Sequence, residues 1–274
     1  MTQIASPDNP RLKALRRLQS KRERGRSGRF LAEGEDLVAA AELAGWHALE
    51  GYRVAGSGLG GPDFTDVDQK ALAAVSTLGS GTRVIGVYEQ RWAKAPSGPL
   101  CVYLHGVGDP GNVGAVLRSA QAFGASSVAL GPGCADPYSP KAVRASMGAL
   151  FGVPVARVES IAQLPGERVA LVAGAGEPLR RHDPGAGEPL RGDDPSAGAG
   201  SAEQSPSGGA QIARGLTLLV GAEREGLPEE LVAACERVAH IPIEAESLNA
   251  AMAATVALYE MGRVGTRSSR VTTE

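Results

Sequence analysis

The chain has 274 residues, a formal net charge of −2 and 43% hydrophobic residues, enough for one large domain or two ordinary ones with a real core. No run of about 18 apolar residues occurs and the opening segment is polar and basic, so neither a membrane span nor a signal peptide is expected. Cys101, Cys134 and Cys235 are widely spaced and form no C-x-x-C, which argues against a disulfide framework or zinc site and for a cytoplasmic, metal-free protein.

In chain order, Asp8 or Asn9 can cap a helix running through "PRLKALRRLQSKRE", with Leu12, Leu15 and Leu18 on one side. Between Asn9 and Arg29 stand nine basic residues and one acidic one, Glu23, so this segment carries +8 and the rest of the chain −10. Such an arm suits a polyanion, with a solvated helix face as the alternative. "GRFLAEG", "GYRVAG" and "TRVIGVYE" read as strands. Helices are expected over "EDLVAAAELA", stopped at Gly45, and around "DQKALAAVS". This is a small α/β domain over residues 1–92, followed by a Pro-, Gly- and Ser-bearing linker at 93–99.

A second region, 100–274, carries the apolar runs "LCVYLHGV", "SSVALG", "RVALVAG", "LTLLVGA" and "RVAHIPI". They have strand length without clean alternation, the pattern of a parallel sheet buried on both faces. Residues 174–214 interrupt it with Gly, Pro, Ala and Ser and a duplicated "AGEPLR", and most of that stretch is expected to be disordered.

"LHGVGDPGNVGAVLRSAQAFGASSVAL" contains a G-x-G-x-x-G at Gly106, Gly108 and Gly111, between a strand and a helix. A dinucleotide site also needs an acidic residue about 20 positions on, at the end of the next strand. Here that strand runs into "GPGC", and no G-x-x-x-x-G-K-[ST] occurs elsewhere. An NAD-dependent oxidoreductase is therefore a weak reading.

Two further stretches stand near the C-terminus. "LLVGAEREGLPEEL" places a strand, a glycine turn with Glu223 and a helix opening at Pro228 and Glu229. "HIPIEAESLNAAMAATVALYE" places a strand, a polar loop and an Ala-rich helix starting near Ser247, with Ser247 and Asn249 at capping positions. Taken in order, "DPGNVGAVLRSAQAFGA", "VGAEREGLP" and "IPIEAESLNAAMAA" resemble the three motifs of the SpoU family of RNA 2′-O-ribose methyltransferases, within the SPOUT superfamily. "DPYSPKAVRASMGALFGVPV" resembles the segment after the first motif. The N-terminal "SPDNPRLKALRRLQSKRERGRSGRFLAEGEDLV" is similar to the opening of the ribosomal-RNA-modifying branch.

The resemblance implies an α/β fold: a parallel-sheet SPOUT domain with a deep trefoil knot, after a small ribosomal-protein-like α/β domain that binds substrate RNA. It implies S-adenosylmethionine as cofactor, held chiefly by backbone groups at Gly221, Ile241 and Leu248. A homodimer is expected, with active sites at its interface. The matching catalytic positions are Asn112, Arg118, Glu223, Ser247 and Asn249. Six residues separate Asn112 from Arg118, so both are expected near one helix entrance, facing one pocket. Arginine is the family's proposed base, yet a guanidinium holds its proton up to a pKa of about 12. Arg118 is thus read either as a base or as the group that orients a phosphate and steadies alkoxide charge.

RNA contacts are expected from Arg16, Arg17, Lys21 and Arg22, and from Lys141 and Arg144 with a solvated face as their alternative. One departure is "EAESLN", whose Glu244 and Glu246 stand where the family often has Gly or Ser. Ribosomal RNA, of the large subunit, is the expected substrate. Transfer RNA is the alternative, and a catalytically silent RNA-binding protein is the reading from another class.

Overall fold

The structure, a computed structural model, describes residues 3–78, 81–179 and 215–262. Helix α1 (Pro10–Leu18) is capped by Asn9, whose side chain accepts the Arg11 N–H at 2.9 Å. Leu12, Leu15 and Leu18 are buried along one side, and Arg11, Lys13, Arg16 and Arg17 face solvent. The single helix expected through Glu23 is two. Ser20 accepts the Glu23 N–H and starts α2 (Lys21–Ser27), which Gly28 ends at φ 67°.

Strand β1 (Arg29–Glu33), α3 (Glu35–Leu43), β2 (Glu50–Val54), β3 (Thr65–Val67), α4 (Gln69–Ala73) and β4 (Val84–Glu89) complete the first unit. Its sheet has the order β1-β4-β2-β3, antiparallel except between β2 and β3. The three leucines of α1 pack on Leu31, Leu72 and Ile85 beneath it.

The second unit runs β5 (Leu100–Leu104), α5 (Pro110–Ala122), β6 (Ser127–Leu130), α6 (Pro140–Ala145), α7 (Ala149–Gly152), β7 (Val155–Arg157), β8 (Glu167–Leu171), β9 (Glu177–Pro178), β10 (Leu216–Val220), α8 (Glu229–Ala233), β11 (Arg237–His240) and α9 (Ala250–Gly262). Its seven strands take the order β7-β6-β5-β10-β8-β11-β9, and every pairing is parallel. Successive residues of β5 are buried on opposite faces, Val102 and Leu104 with the α5 side and Cys101 and Tyr103 with Val158 and Leu219. Burial on both faces is why these runs do not alternate.

Of the stretch 174–214, residues 180–214 lie outside the described residues. Its first residues, 174–179, are described and join the sheet. Glu177–Pro178 pair with Ala239 and His240, and Leu179 donates its N–H to His240 O at 2.7 Å. Among the described residues no helix is long and apolar enough to cross a membrane.

The two units share one seam. Phe30 and Tyr88 of the first sheet belong to the same buried cluster as Tyr138 and Phe151 of the second unit. The Trp46 indole donates to Phe151 O at 2.9 Å. Arg24, counted above within the basic arm, is 3% exposed and pairs with Asp136 at 2.7 Å, so it fastens the seam instead of facing a ligand.

Candidate active site

The turn after β5 opens α5. Asp109 is its N-cap, accepting the Asn112 N–H at 3.0 Å, and Pro110 supplies a φ suited to the first helical position. The other oxygen of Asp109 meets Lys141 Nζ at 2.6 Å. That ammonium holds the Asp109 carboxyl below its ordinary range, against a smaller upward push from burial. The cap is therefore complete at neutral pH and is lost only as pH falls through this lowered value.

Asn112 then connects three distant segments. Its Nδ2 donates to Glu223 Oε1, and its Oδ1 accepts from Asn249 Nδ2 at 3.3 Å. Asn249 Oδ1 accepts the Ala251 N–H at 2.9 Å and so caps α9. The expected helix start near Ser247 is accordingly three residues later. Ser247 is exposed and has no hydrogen-bond partner among the described residues.

Beside this group, at the carboxyl ends of β8, β10 and β11, lies a cleft of about 130 Å³. Leu171–Ala173 form one wall, Gly221–Glu223 with Gly226 a second, and Ile241, Ile243, Ser247 and Leu248 a third. The 221–226 turn folds back on itself, with Gly226 N–H donating to Ala222 O at 2.9 Å. A Cβ on Gly221 would stand 2.1 Å from the Gly226 carbonyl carbon, so only glycine fits there. Gly221, Ile241 and Leu248 thus line one cleft, and Glu223 and Ser247 stand at it. Glu244 and Glu246 are exposed and do not line it. Neither do Gly106, Gly108 and Gly111. Gly106 instead makes the turn after β5 at φ 68°.

Arg118 departs from the expectation that it faces the pocket of Asn112. Six residues turn an α-helix through about 600°, which leaves the two side chains about 120° apart. Arg118 is exposed, does not line the cleft, and has no hydrogen bond or ion pair among the described residues. Its neighbour Ser119 bonds Thr255 of α9 at 2.6 Å. The expected RNA contacts divide likewise. Arg17, Lys21 and Arg22 are exposed without an ion-pair partner among the described residues. Arg16 donates to Ala74 O at 3.2 Å, Lys141 holds Asp109, and Arg144 reaches Thr77 Oγ1 at 3.4 Å.

Residues 99–259 match the family model described as the SpoU rRNA Methylase family, and residues 9–90 match an MRM3-like substrate binding domain. The chain belongs to the SpoU rRNA methylase family. Among curated SpoU relatives, the 23S rRNA (guanosine(2553)-2′-O)-methyltransferase RlmP of Bacillus subtilis is 27% identical over 95% of this chain and 99% of its own. A solved AdoMet-bound rRNA methyltransferase of Sinorhizobium meliloti superposes with a TM-score of 0.75 at 29% identity, covering 96% of this chain and 97% of that one. The AdoMet complex of the SpoU methyltransferase AviRb of Streptomyces viridochromogenes gives 0.73 at 25% identity, covering 93% and 97%.

Two parts of this SpoU site are not predicted above. One is the Lys141–Asp109 pair, which spends an expected RNA contact on holding the first motif. An aspartate two residues before a helical glycine was the available signal. The other is the Leu171–Ala173 wall, which no motif marks, because β8 meets the cleft only through sheet order.

Proposed function

We propose that this protein transfers a methyl group from S-adenosylmethionine to a ribose 2′-hydroxyl of large-subunit ribosomal RNA. The observation that carries the reading is the bonded group Asn112–Glu223–Asn249 at the mouth of a cleft lined by Gly221, Ile241 and Leu248. The donor set fits the cofactor: apolar side chains suit an adenine ring, turn backbone supplies polar partners, and the Glu223 carboxylate suits a cation. When bound, S-adenosylmethionine supplies an electrophilic methyl group on a cationic sulfur. Strand order supports a trefoil knot here, since β10 runs between β5 and β8 in the sheet and the chain then goes on to β11.

Methylating a ribose hydroxyl requires that the oxygen be aligned and its proton drawn off. Asn112 and Asn249 fix the entrance through their shared bonds and leave Ser247 free to bind RNA. Arg118 is the group that orients a target phosphate and steadies developing alkoxide charge. Its place outside its own cleft supports a role at the cleft of a second copy. On α9, Met252, Val256 and Tyr259 form an apolar stripe, 62%, 37% and 44% exposed. That stripe supports a homodimer whose interface completes each site.

The first unit, with Arg17, Lys21 and Arg22 free of partners among the described residues, binds the substrate RNA on this reading, and the enzyme works in the cytoplasm beside the ribosome. The test is labelled methyl transfer to purified 23S rRNA and tRNA, with the modified ribose mapped and the particle mass measured by light scattering. We expect label in 23S rRNA on a 2′-oxygen, and a dimer. Label confined to tRNA would reassign the substrate. Cofactor binding with both RNAs unlabelled would overturn the reading.

A further inference from the structure

Outside the cleft, two arginines stand over two indoles. Arg91 Cζ stands 4.2 Å from the centre of the Trp46 ring, and Arg157 Cζ 4.0 Å from that of Trp92. Both arginines are exposed, as is Lys94 beside them. Among the described residues none of the three forms an ion pair, and neither guanidinium donates a hydrogen bond. Glu159, two residues beyond Arg157, makes no ion pair either. In a chain with more acidic than basic residues, this is positive charge left unneutralised. An arginine attracted to a ring face is positioned by it, and a guanidinium without hydrogen bonds to protein keeps its N–H groups for a phosphate, which it grips with two parallel bonds.

The place of this strip gives it a partner. Arg157 pairs in register with Leu130, Leu130 with Leu104, and Leu104 with Val220, which lines the cleft. Arg157 is thus on the same carboxyl edge of the sheet as the cleft, three strand spacings or about 14 Å away. Charge on the outermost strand also guards a sheet edge against pairing, but that role needs no stacking on an indole.

We infer that Arg91, Arg157 and Lys94 form a second RNA-backbone site, which holds the single strand leading to or from the methylated ribose. The inference rests on the RNA methyltransferase reading and extends it to a surface outside the three motifs and the first unit's basic arm.

The test compares the wild-type dimer with the Arg91→Ala/Arg157→Ala double variant for binding to 23S rRNA over a salt series. Each lost contact lowers the slope of log affinity against log salt by about 0.7 to 1. We expect the slope to fall by about 1.4 to 2 and the Kd near physiological salt to rise about five- to tenfold. Turnover at saturating RNA and cofactor affinity stay at wild-type values, which also verifies the fold. Arg91→Lys/Arg157→Lys keeps the charge but loses the flat fork, so it regains most of the slope and only part of the affinity. An alanine variant with unchanged Kd and slope would overturn the site and leave the arginines as covers for the indoles. A wild-type enzyme that neither binds nor methylates 23S rRNA would instead overturn the activity beneath it, and the strip with it.

Discussion

Arg118 stands on the outer side of α5 with nothing to hold it among the described residues, while Asn112 on the same helix is bonded to two other motifs. A side chain that only stabilised its own fold would gain from a partner, and a long charged one left free is costly to order. On the proposed function, its use is in the assembled complex. Arg118→Ala is expected to lower kcat by at least about a hundredfold, the usual loss when one preorganised charge-stabilising donor is removed. Cofactor affinity, measured by calorimetry, stays unchanged because Arg118 does not line the cleft. Arg118→Lys keeps the charge without the planar fork and rescues less than a tenth of the loss if orientation matters. Near-normal turnover in Arg118→Ala would remove it from the mechanism. At this scale the motif letters were informative about identity and silent about facing. Asn112 and Arg118 are both legible in "NVGAVLR", but which of them reaches Glu223 and Asn249 depends on helix rotation and on what α9 covers.

Among the elements, α5 and α6 are the pair that shapes the first motif, and Gly114 sets their distance. A Cβ on Gly114 would lie 2.4 Å from Ala142 O and 2.7 Å from Ala145 Cβ, both on α6. Alanine is worth about 1 kcal/mol more than glycine inside a helix by propensity alone. Overpacking against a backbone carbonyl costs about 1–3 kcal/mol and outweighs it. Gly114→Ala is expected to lower stability in urea by about 1 kcal/mol net. Because α6 carries Lys141, it also loosens the Lys141–Asp109 pair and lowers activity more than stability. An unchanged or raised midpoint would show that α6 shifts freely and that the contact matters little. The long helices α1 and α5 were readable, the first from its apolar spacing and its cap at Asn9, the second from the glycine-rich turn that precedes it. The shortest strands were not. Strands β3, β7 and β9 have three, three and two residues and exist only through pairing with distant strands. The break at Ser20 was hidden by the helix-forming residues on both sides of it.

For the whole molecule, the seam decides whether, on the proposed function, the first unit presents RNA to the cleft at a fixed distance. Arg24 belongs to the charge run read as suiting a polyanion or as a solvated face. Instead it donates to Asp136 Oδ2 from two nitrogens at 2.7 and 2.9 Å, and to Leu18 O and Gln19 O at the end of α1. Sequence could not separate Arg24 from its neighbours, because burial of one basic residue in nine is a property of the docked units. Removing one member of a buried pair leaves the other desolvated and costs about 3–5 kcal/mol. Arg24→Ala is therefore expected to lower the unfolding free energy by about 3 kcal/mol and to split a single calorimetric transition into two as the units uncouple. The KM for RNA rises while kcat at saturating RNA holds, since the cleft itself is untouched. Asp136→Ala made in the Arg24→Ala background then costs little more. A coupling energy below about 0.5 kcal/mol between the two substitutions would mean that the sites act independently. The seam would then be held by the aromatic cluster of Phe30, Tyr88, Tyr138 and Phe151, whose rings approach to 4.8 Å between Phe30 and Tyr138. In that case Phe30→Ala, not Arg24→Ala, is the substitution that separates RNA capture from methyl transfer.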